Sequence, residues 1–189
     1  MKVRANANEK DETVFDFVRT AIGGDIDLMV DANEKGTRET AQRLLACAQD
    51  YGVKFVEEPL PASDPLGFRM LGKLETRTLI ATGEHLQGID RFELMIEDGY
   101  SAFVQPDLAM AGGLTPCLKI AKKAAARNMV FAPHFLPGLF VHMHGAFGGE
   151  ILLEDFPLIE SVFEGWPQMA PDGALCIGND TGHGLRLKQ

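Results

Sequence analysis

The sequence predicts an α/β fold, built as part of a TIM-type (β/α) barrel, and three observations support this prediction. Short apolar runs rich in Val, Ile, Leu and Phe alternate with longer segments of helical periodicity, which is the pattern of successive βαβ units around a parallel sheet. An acidic residue or a histidine follows each apolar run, at separations of 26, 27, 23, 27 and 26 residues. The composition, 46% hydrophobic and 24% charged, is typical of a folded globular domain.

The predicted elements follow one another in a regular order along the chain. Predicted strands are the apolar segments at residues 27–30, 53–56, 79–81, 102–104, 129–132 and 157–159. Predicted helices lie between them, at residues 37–51, 65–74, 89–97, 115–128 and 143–153. The first of these helices has signals at both ends, because Thr37 can cap its first turn and Gly52 ends it.

The last part of the chain differs in character from the rest. Its glycines and prolines are frequent: Gly165, Pro167, Pro171, Gly173, Gly178, Gly182 and Gly184. Such residues favour turns and loops over regular elements. We therefore divide the chain into a partial barrel at residues 1–161 and a loop-rich tail at residues 162–189.

Composition and charge exclude several classes of function. The chain carries 18 basic and 27 acidic residues, a net charge of −9, and no cluster of Lys or Arg that could follow a phosphate backbone. The apolar stretches are far shorter than the roughly 20 residues that a membrane helix needs. The three cysteines, Cys47, Cys117 and Cys176, are widely spaced and fit reduced thiols. We therefore expect a cytoplasmic protein that binds neither nucleic acid nor membrane.

The residues that follow the predicted strands carry acid–base or metal-binding chemistry. They are Asp31, Glu57, Glu84, Asp107, His134 and Glu160. In a barrel of parallel strands the carboxyl ends of all strands meet at one face, where catalytic residues collect. Several carboxylates in one place repel one another and lose solvation unless a cation neutralises them. The pattern therefore predicts a metal ion.

Asp31, Glu57 and Glu84 follow three consecutive strands, so we expect their carboxylates to lie side by side. Three hard oxygen ligands with open positions suit Mg²⁺ better than Zn²⁺. A single carboxylate at a strand end more commonly pairs with Lys or Arg, but almost no basic residue stands beside these three. The set of three therefore favours the metal interpretation.

Asp107 and His134 follow neighbouring strands. A carboxylate that held one ring nitrogen of His134 would raise its basicity and leave the other nitrogen to move a proton. A lone histidine is more often structural, and the partner on the neighbouring strand is what favours a catalytic dyad here. Glu160, one strand further on, could donate a hydrogen bond to a substrate oxygen if protonated, or could be an ordinary rim carboxylate.

These motifs resemble the enolase superfamily, and specifically the mandelate racemase branch of the mandelate racemase/muconate lactonizing enzyme family. The matching strings are VDAN at 30–33, VEEP at 56–59, TGEH at 82–85, QPDLAMAGGL at 105–114, APHF at 132–135 and LIE at 158–160. Their order and spacing match that family from its third barrel strand to its eighth. The resemblance implies a partial barrel without the N-terminal capping domain of the family.

The resemblance also implies a role for each matching side chain. The Mg²⁺ ligands would be Asp31, Glu57 and Glu84, with Glu57 rather than Glu58 as the second ligand. The catalytic dyad would be Asp107 and His134, and Glu160 would hydrogen-bond the intermediate. Lys2 and Arg4 match the KxK or KxR motif at the end of the family's second strand, with Lys2 as a second catalytic base and Arg4 as a substrate contact. His85 would help to bind the substrate.

The function that the resemblance implies is Mg²⁺-dependent dehydration of a sugar acid. The α-proton of a hydroxy-carboxylate would be removed, and His134 would protonate the departing β-hydroxyl to give a 2-keto-3-deoxy acid. An alternative is a racemase or epimerase, which needs a base on each face of the α-carbon and so depends more strongly on Lys2. A third is an inactive or incomplete fragment that needs its missing N-terminal portion. In its full-length form we expect a homo-oligomer.

Overall fold

The computed structural model describes residues 1–155 and 157–189, and its centre is a six-stranded parallel sheet. The strands are β1 (Lys2–Arg4), β2 (Leu28–Asp31), β3 (Val53–Glu57), β4 (Leu79–Thr82), β5 (Phe103–Val104) and β6 (Val130–Phe131). They lie side by side in chain order, β1 to β6, and each is parallel to the next. This order and direction are those of a partial enolase-type barrel, and five of the six predicted strands are confirmed.

Helices connect consecutive strands of the sheet, and two more helices follow β6. They are α1 (Asp11–Ile22), α2 (Arg38–Asp50), α3 (Pro65–Leu71), α4 (Ile89–Asp98), α5 (Leu108–Ala111), α6 (Leu114–Ala125), α7 (Pro137–Phe140) and α8 (His144–Phe147). The start of α2 is capped as predicted, because Thr37 accepts a hydrogen bond from Thr40 N while the Thr40 hydroxyl accepts one from Thr37 N. Helix α1 was not predicted from the sequence.

The inner face of the sheet is filled by a small apolar cluster. Phe55, Ala81, Phe103 and Ala132 are all buried, and the rings of Phe55 and Phe103 lie 4.5 Å apart between centroids. These residues point to one side because side chains alternate along a strand. Larger clusters pack the helices against the outer face. Burial of one Phe side chain stabilises a fold by about 1.5–3 kcal/mol. The inner cluster therefore helps to hold the carboxyl ends of the strands in place.

The predictions for residues 143–153 and 157–159 are wrong. Helix α8 ends at Phe147 because Gly148 adopts a left-handed conformation, with φ 72°. The chain then returns to the sheet beside β6, where Ile151 pairs with Phe131 and Leu152 N donates to Phe131 O at 3.0 Å. The segment predicted as the end of a helix therefore continues the barrel. Residues 157–159 form a turn and a bend instead of a strand.

The tail is loop-rich, with two short antiparallel pairs of strands. β7 (Phe163–Glu164) pairs with β10 (Arg186–Leu187), and β8 (Gln168–Met169) pairs with β9 (Leu175–Cys176). In the part of the chain that the structure describes, no helix is both long and apolar enough to cross a membrane.

Candidate active site at the carboxyl ends of the strands

The sheet places two of the predicted metal ligands next to each other. Asp31 is the last residue of β2 and Glu57 the last residue of β3, and the two are direct neighbours in the parallel register. Their exposed fractions are 6% and 1%. Two carboxylates so deeply buried are unfavourable in the charged state without nearby positive charge.

Glu84 lies at the same end of the sheet, directly after Gly83, which follows β4. Gly83 has φ 142°, and a Cβ atom at this position would lie 2.9 Å from Gln105 O and 2.9 Å from the Phe92 ring. Any other residue would therefore be strained and would push the loop away from β5. The side chain of Glu84 is 13% exposed, with Oε2 3.7 Å from His134 Nε2.

Lys2 provides positive charge at the centre of this acidic group. Its Nζ lies 2.6 Å from Glu154 Oε1, 3.0 Å from Glu57 Oε2 and 3.8 Å from Asp31 Oδ2. Burial alone would lower the pKa of Lys2, but the carboxylates of Glu57 and Glu154 outweigh it and raise that pKa. Lys2 is therefore held in its charged form, between two strand ends.

The contact with Lys2 does not fully offset the cost of burying a negative charge on Glu57. Burial raises its pKa to about 7, and the neighbouring charge of Asp31 adds to the effect, although Lys2 opposes it. The strand ends hold five carboxylates, those of Asp31, Glu57, Glu84, Asp107 and Glu154. The lysine and arginine that contact these carboxylates are Lys2 and Arg4. A hard cation would relieve this excess of negative charge, so the residues present fit Mg²⁺.

The carboxylates of the three predicted ligands, Asp31, Glu57 and Glu84, do not surround one point. Among the residues that the structure describes, they do not form a group whose ligand atoms all lie within 4.8 Å of one another, whereas Glu34, Glu58 and His85 do. The amine of Lys2 and the guanidinium of Arg4, which lies 2.9 Å from Asp31 Oδ2, occupy the space at Asp31 and Glu57. Binding of Mg²⁺ by these ligands stays a prediction.

Asp107 and His134 are brought together in the manner that the sequence predicts. His134 Nδ1 lies 3.1 Å from Asp107 Oδ2, and the segments around them pair as parallel backbone. Asp107 Oδ1 accepts hydrogen bonds from the backbone N–H groups of Ala109 and Met110 at the start of α5. Burial would raise the pKa of Asp107, but these hydrogen bonds and the one with His134 outweigh it and lower that pKa. The carboxylate is thus fixed and charged beneath the imidazole.

Glu154, which sequence reasoning missed, occupies the place that was assigned to Glu160. It follows the segment that pairs with β6, and its Oε2 accepts a hydrogen bond from Phe135 N at 3.2 Å while Oε1 contacts Lys2. Burial opposes its ionisation, but Lys2 outweighs this effect and lowers the pKa of Glu154. A signal was present in the sequence, because an apolar run, ILL at 151–153, directly precedes this acid.

Glu160 itself is not at a strand end. It begins a 3₁₀ helix, Glu160–Val162, and lines a cavity of about 840 Å³ together with tail residues such as Trp166 and His183. The prediction failed because the strand assigned to residues 157–159 does not form. The residues that line this cavity include none of the strand-end side chains.

Two further predicted residues have contacts of their own. Arg4 is half-exposed and pairs with Asp31. His85 Nδ1 hydrogen-bonds Glu58 Oε1 at 2.8 Å and lies 3.6 Å from Glu84 Oε1. Their roles in substrate binding stay predictions.

A smaller cavity of about 290 Å³ opens beside Lys2, Glu57 and Glu154.

Comparison with known proteins agrees with this architecture. A family model described as "Enolase C-terminal domain-like" matches residues 1–189. L-talarate/galactarate dehydratase of Salmonella typhimurium (strain LT2) is 37% identical over 172 residues, 91% of this chain and 43% of that protein. A crystal structure of L-talarate dehydratase from Polaromonas sp. JS666, complexed with Mg and L-glucarate, has a TM-score of 0.90 at 33% identity and covers 100% of this chain and 53% of that one.

A second kind of activity occurs among the similar structures. A racemase from Streptomyces coelicolor A3(2) with bound magnesium has a TM-score of 0.90 at 26% identity, over 98% of this chain and 52% of that one. The chain thus spans roughly half the length of these relatives. Because the family model matches the whole chain, and because acid, base and carboxylate side chains close successive parallel strands, this chain belongs to the enolase superfamily, in its mandelate racemase/muconate lactonizing enzyme family.

Proposed function

We propose that this chain carries the catalytic face of a Mg²⁺-dependent acid-sugar dehydratase that acts on aldarate-type or aldonate-type sugar acids. The observation that supports it most strongly is the pair of basic side chains, Lys2 and His134, set among five strand-end carboxylates. The curated relatives include L-talarate/galactarate dehydratase and D-galactonate dehydratase, which are named for sugar acids.

The protein's own residues would divide the work between proton transfer and charge stabilisation. His134 Nδ1 faces Asp107, so Nε2 is the nitrogen free to exchange a proton with the substrate. Lys2 contacts Glu154. It would hold the substrate carboxylate, or would exchange a proton with the substrate on the face opposite His134. Glu154 would keep Lys2 charged and in position beside the reacting carboxylate. Mg²⁺, when bound by Asp31, Glu57 and Glu84, would neutralise negative charge that develops on the substrate.

A racemase is the second candidate, because Lys2 and His134 come from opposite edges of the sheet. Lys2 lies on β1, the first strand, and His134 follows β6, the last. Racemisation requires one group that removes the α-proton and another that returns a proton to the opposite face. The same two side chains would meet that requirement without loss of water.

One experiment separates these two reactions. The 189-residue chain is incubated with Mg²⁺ and a panel of sugar acids, including galactarate and L-talarate, in D₂O. A dehydratase gives a 2-keto-3-deoxy acid, detected by semicarbazide absorbance, whereas a racemase gives deuterium at Cα by NMR without loss of water. His134→Asn should abolish both signals, and His144→Asn, on exposed helix α8, is the matched control. Absence of product and of exchange from a folded chain that binds Mg²⁺ would contradict the proposal.

A further inference from the structure

Three side chains outside the proposed Mg²⁺ ligand set form a compact group on the loops after β2, β3 and β4. They are Glu34, Glu58 and His85, and their ligand atoms all lie within 4.8 Å of one another. His85 Nδ1 is 2.8 Å from Glu58 Oε1 and 4.0 Å from Glu34 Oε2. Donor atoms around one ion with bonds of about 2.1 Å lie roughly 3 to 4 Å apart, so shifts of less than about 1 Å would bring these three side chains into one coordination shell.

Glu58 gives an independent indication that something positive belongs here. Its side chain is fully buried, and one of its carboxylate oxygens, Oε2, has no hydrogen-bond partner in the structure. A buried carboxylate oxygen without a partner is costly, and proteins rarely leave one unsatisfied.

Basic side chains do not neutralise the group. Within residues 1–155 and 157–189, no Lys or Arg forms an ion pair with Glu34 or Glu58, whereas Asp31 and Glu57 both have such a partner. Glu34 Oε1 accepts a hydrogen bond from Ala62 N, which leaves Oε2 for an ion. The imidazole of His85 is 41% exposed, so an ion and a water ligand could reach the group from solvent.

We propose that Glu34, Glu58 and His85 form a second cation site, which takes a transition-metal dication such as Zn²⁺. An imidazole with two carboxylates suits Zn²⁺ or Co²⁺, whereas Mg²⁺ prefers oxygen ligands only. His85 Nδ1 would bind the ion through its lone pair, so this nitrogen has to be unprotonated in the metal-bound state. It would tie together the three loops that carry the ends of β2, β3 and β4.

The test uses Co²⁺ as a spectroscopic probe on the 189-residue chain in excess Mg²⁺. We expect one equivalent of Co²⁺ to bind with a visible absorption band, and Zn²⁺ to displace it. His85→Gln and Glu34→Gln should each weaken Co²⁺ binding by about tenfold or more, because even an indirect partner of a ligand is worth that much. Glu34→Gln keeps an oxygen that can accept from Ala62 N, and circular dichroism verifies that both variants fold.

Two controls make the result unambiguous. His144→Gln changes an exposed histidine elsewhere and should bind Co²⁺ as the unmodified chain does. The double variant Asp31→Asn/Glu57→Gln should lose Mg²⁺ binding but retain the Co²⁺ band, so failure of the Mg²⁺ site and failure of this site are distinguishable. Absence of Co²⁺ binding to the unmodified chain in excess Mg²⁺ would overturn the proposal. So would Co²⁺ binding by His85→Gln and Glu34→Gln with the same affinity as the unmodified chain.

Discussion

Asp107 holds two different partners, and two substitutions separate them. Asp107→Asn keeps an oxygen that can cap α5 but removes the charge that faces His134. We expect it to lower kcat by about 10²–10⁴-fold, the usual contribution of general acid–base catalysis, with little change in stability. Asp107→Ala should lose the same activity and also about 1 kcal/mol of stability, because the cap is lost. Steady-state kinetics and urea unfolding of both variants measure this difference; equal stability losses would contradict it.

At the same scale, the contact between Lys2 and Glu154 predicts a pH dependence. The pKa of Glu154 is lowered, so the stability from this carboxylate is present above its ordinary pKa and is lost as pH falls. The pKa of Lys2 is raised, so its part is lost only as pH rises beyond about 10. Between these limits Glu154→Gln should cost about 1 kcal/mol, because Lys2 keeps Glu57 as a partner.

The measurement is urea unfolding of the two proteins in EDTA at several pH values. The difference between them should be largest near neutral pH, should begin to fade as the pH falls through the ordinary pKa of Glu, about 4.3, and should vanish only below the lowered pKa of Glu154 in the folded state. A difference that grows as the pH falls would show that folding raises the pKa of Glu154 and does not lower it.

At the scale of the element, the capping box of α2 predicts a measurable cost. Thr37→Ala removes the hydroxyl that accepts from Thr40 N and should lower the free energy of unfolding by about 1 kcal/mol. Thr37→Ser keeps a hydroxyl and should be nearly neutral. Urea unfolding distinguishes the two, and equal losses for Ala and Ser would mean that the methyl group of Thr37, and not its hydroxyl, stabilises the helix.

The turn after β4 links an element boundary to the proposed metal ligand Glu84. Gly83→Ala would force a Cβ atom against Gln105 O and should cost about 1–3 kcal/mol and weaken Mg²⁺ binding. Gly88→Ala is the matched control, because Gly88 also has positive φ but a Cβ there meets nothing within 4 Å. Thermal unfolding and Mg²⁺ titration of both variants test this; an equal effect at Gly88 would assign the cost to backbone strain alone.

For the whole molecule, Mg²⁺ should raise the free energy of unfolding with the logarithm of its concentration above Kd. An ion that binds the folded chain alone adds about 2.7 kcal/mol at one hundred times its Kd. The double variant Asp31→Asn/Glu57→Gln should not respond, and titration calorimetry should show no heat of Mg²⁺ binding for it. A melting temperature of the unmodified chain that ignores Mg²⁺ would argue against a site that assembles in these 189 residues.

Local pattern was sufficient to predict most of the fold. Five predicted strands form, and the Thr37 cap does as well, because alternation of apolar residues and capping chemistry act within a few positions of the chain. The predictions failed at residues 143–153 and 157–159, where apolar runs of three residues suit a helix and a strand equally. Pairing of Ile151 with Phe131 decides between them, and that contact joins residues distant in sequence.

The sequence by itself determined which side chains close the strands, and therefore the acids at Asp31 and Glu57 and the dyad of Asp107 and His134. Only the tertiary structure decided that Glu154, and not Glu160, meets Lys2, and that Glu34, Glu58 and His85 converge. The reason is physical: periodicity records which face a residue takes within its own element, whereas convergence depends on how separate loops pack. Packing at that distance is set by the whole barrel.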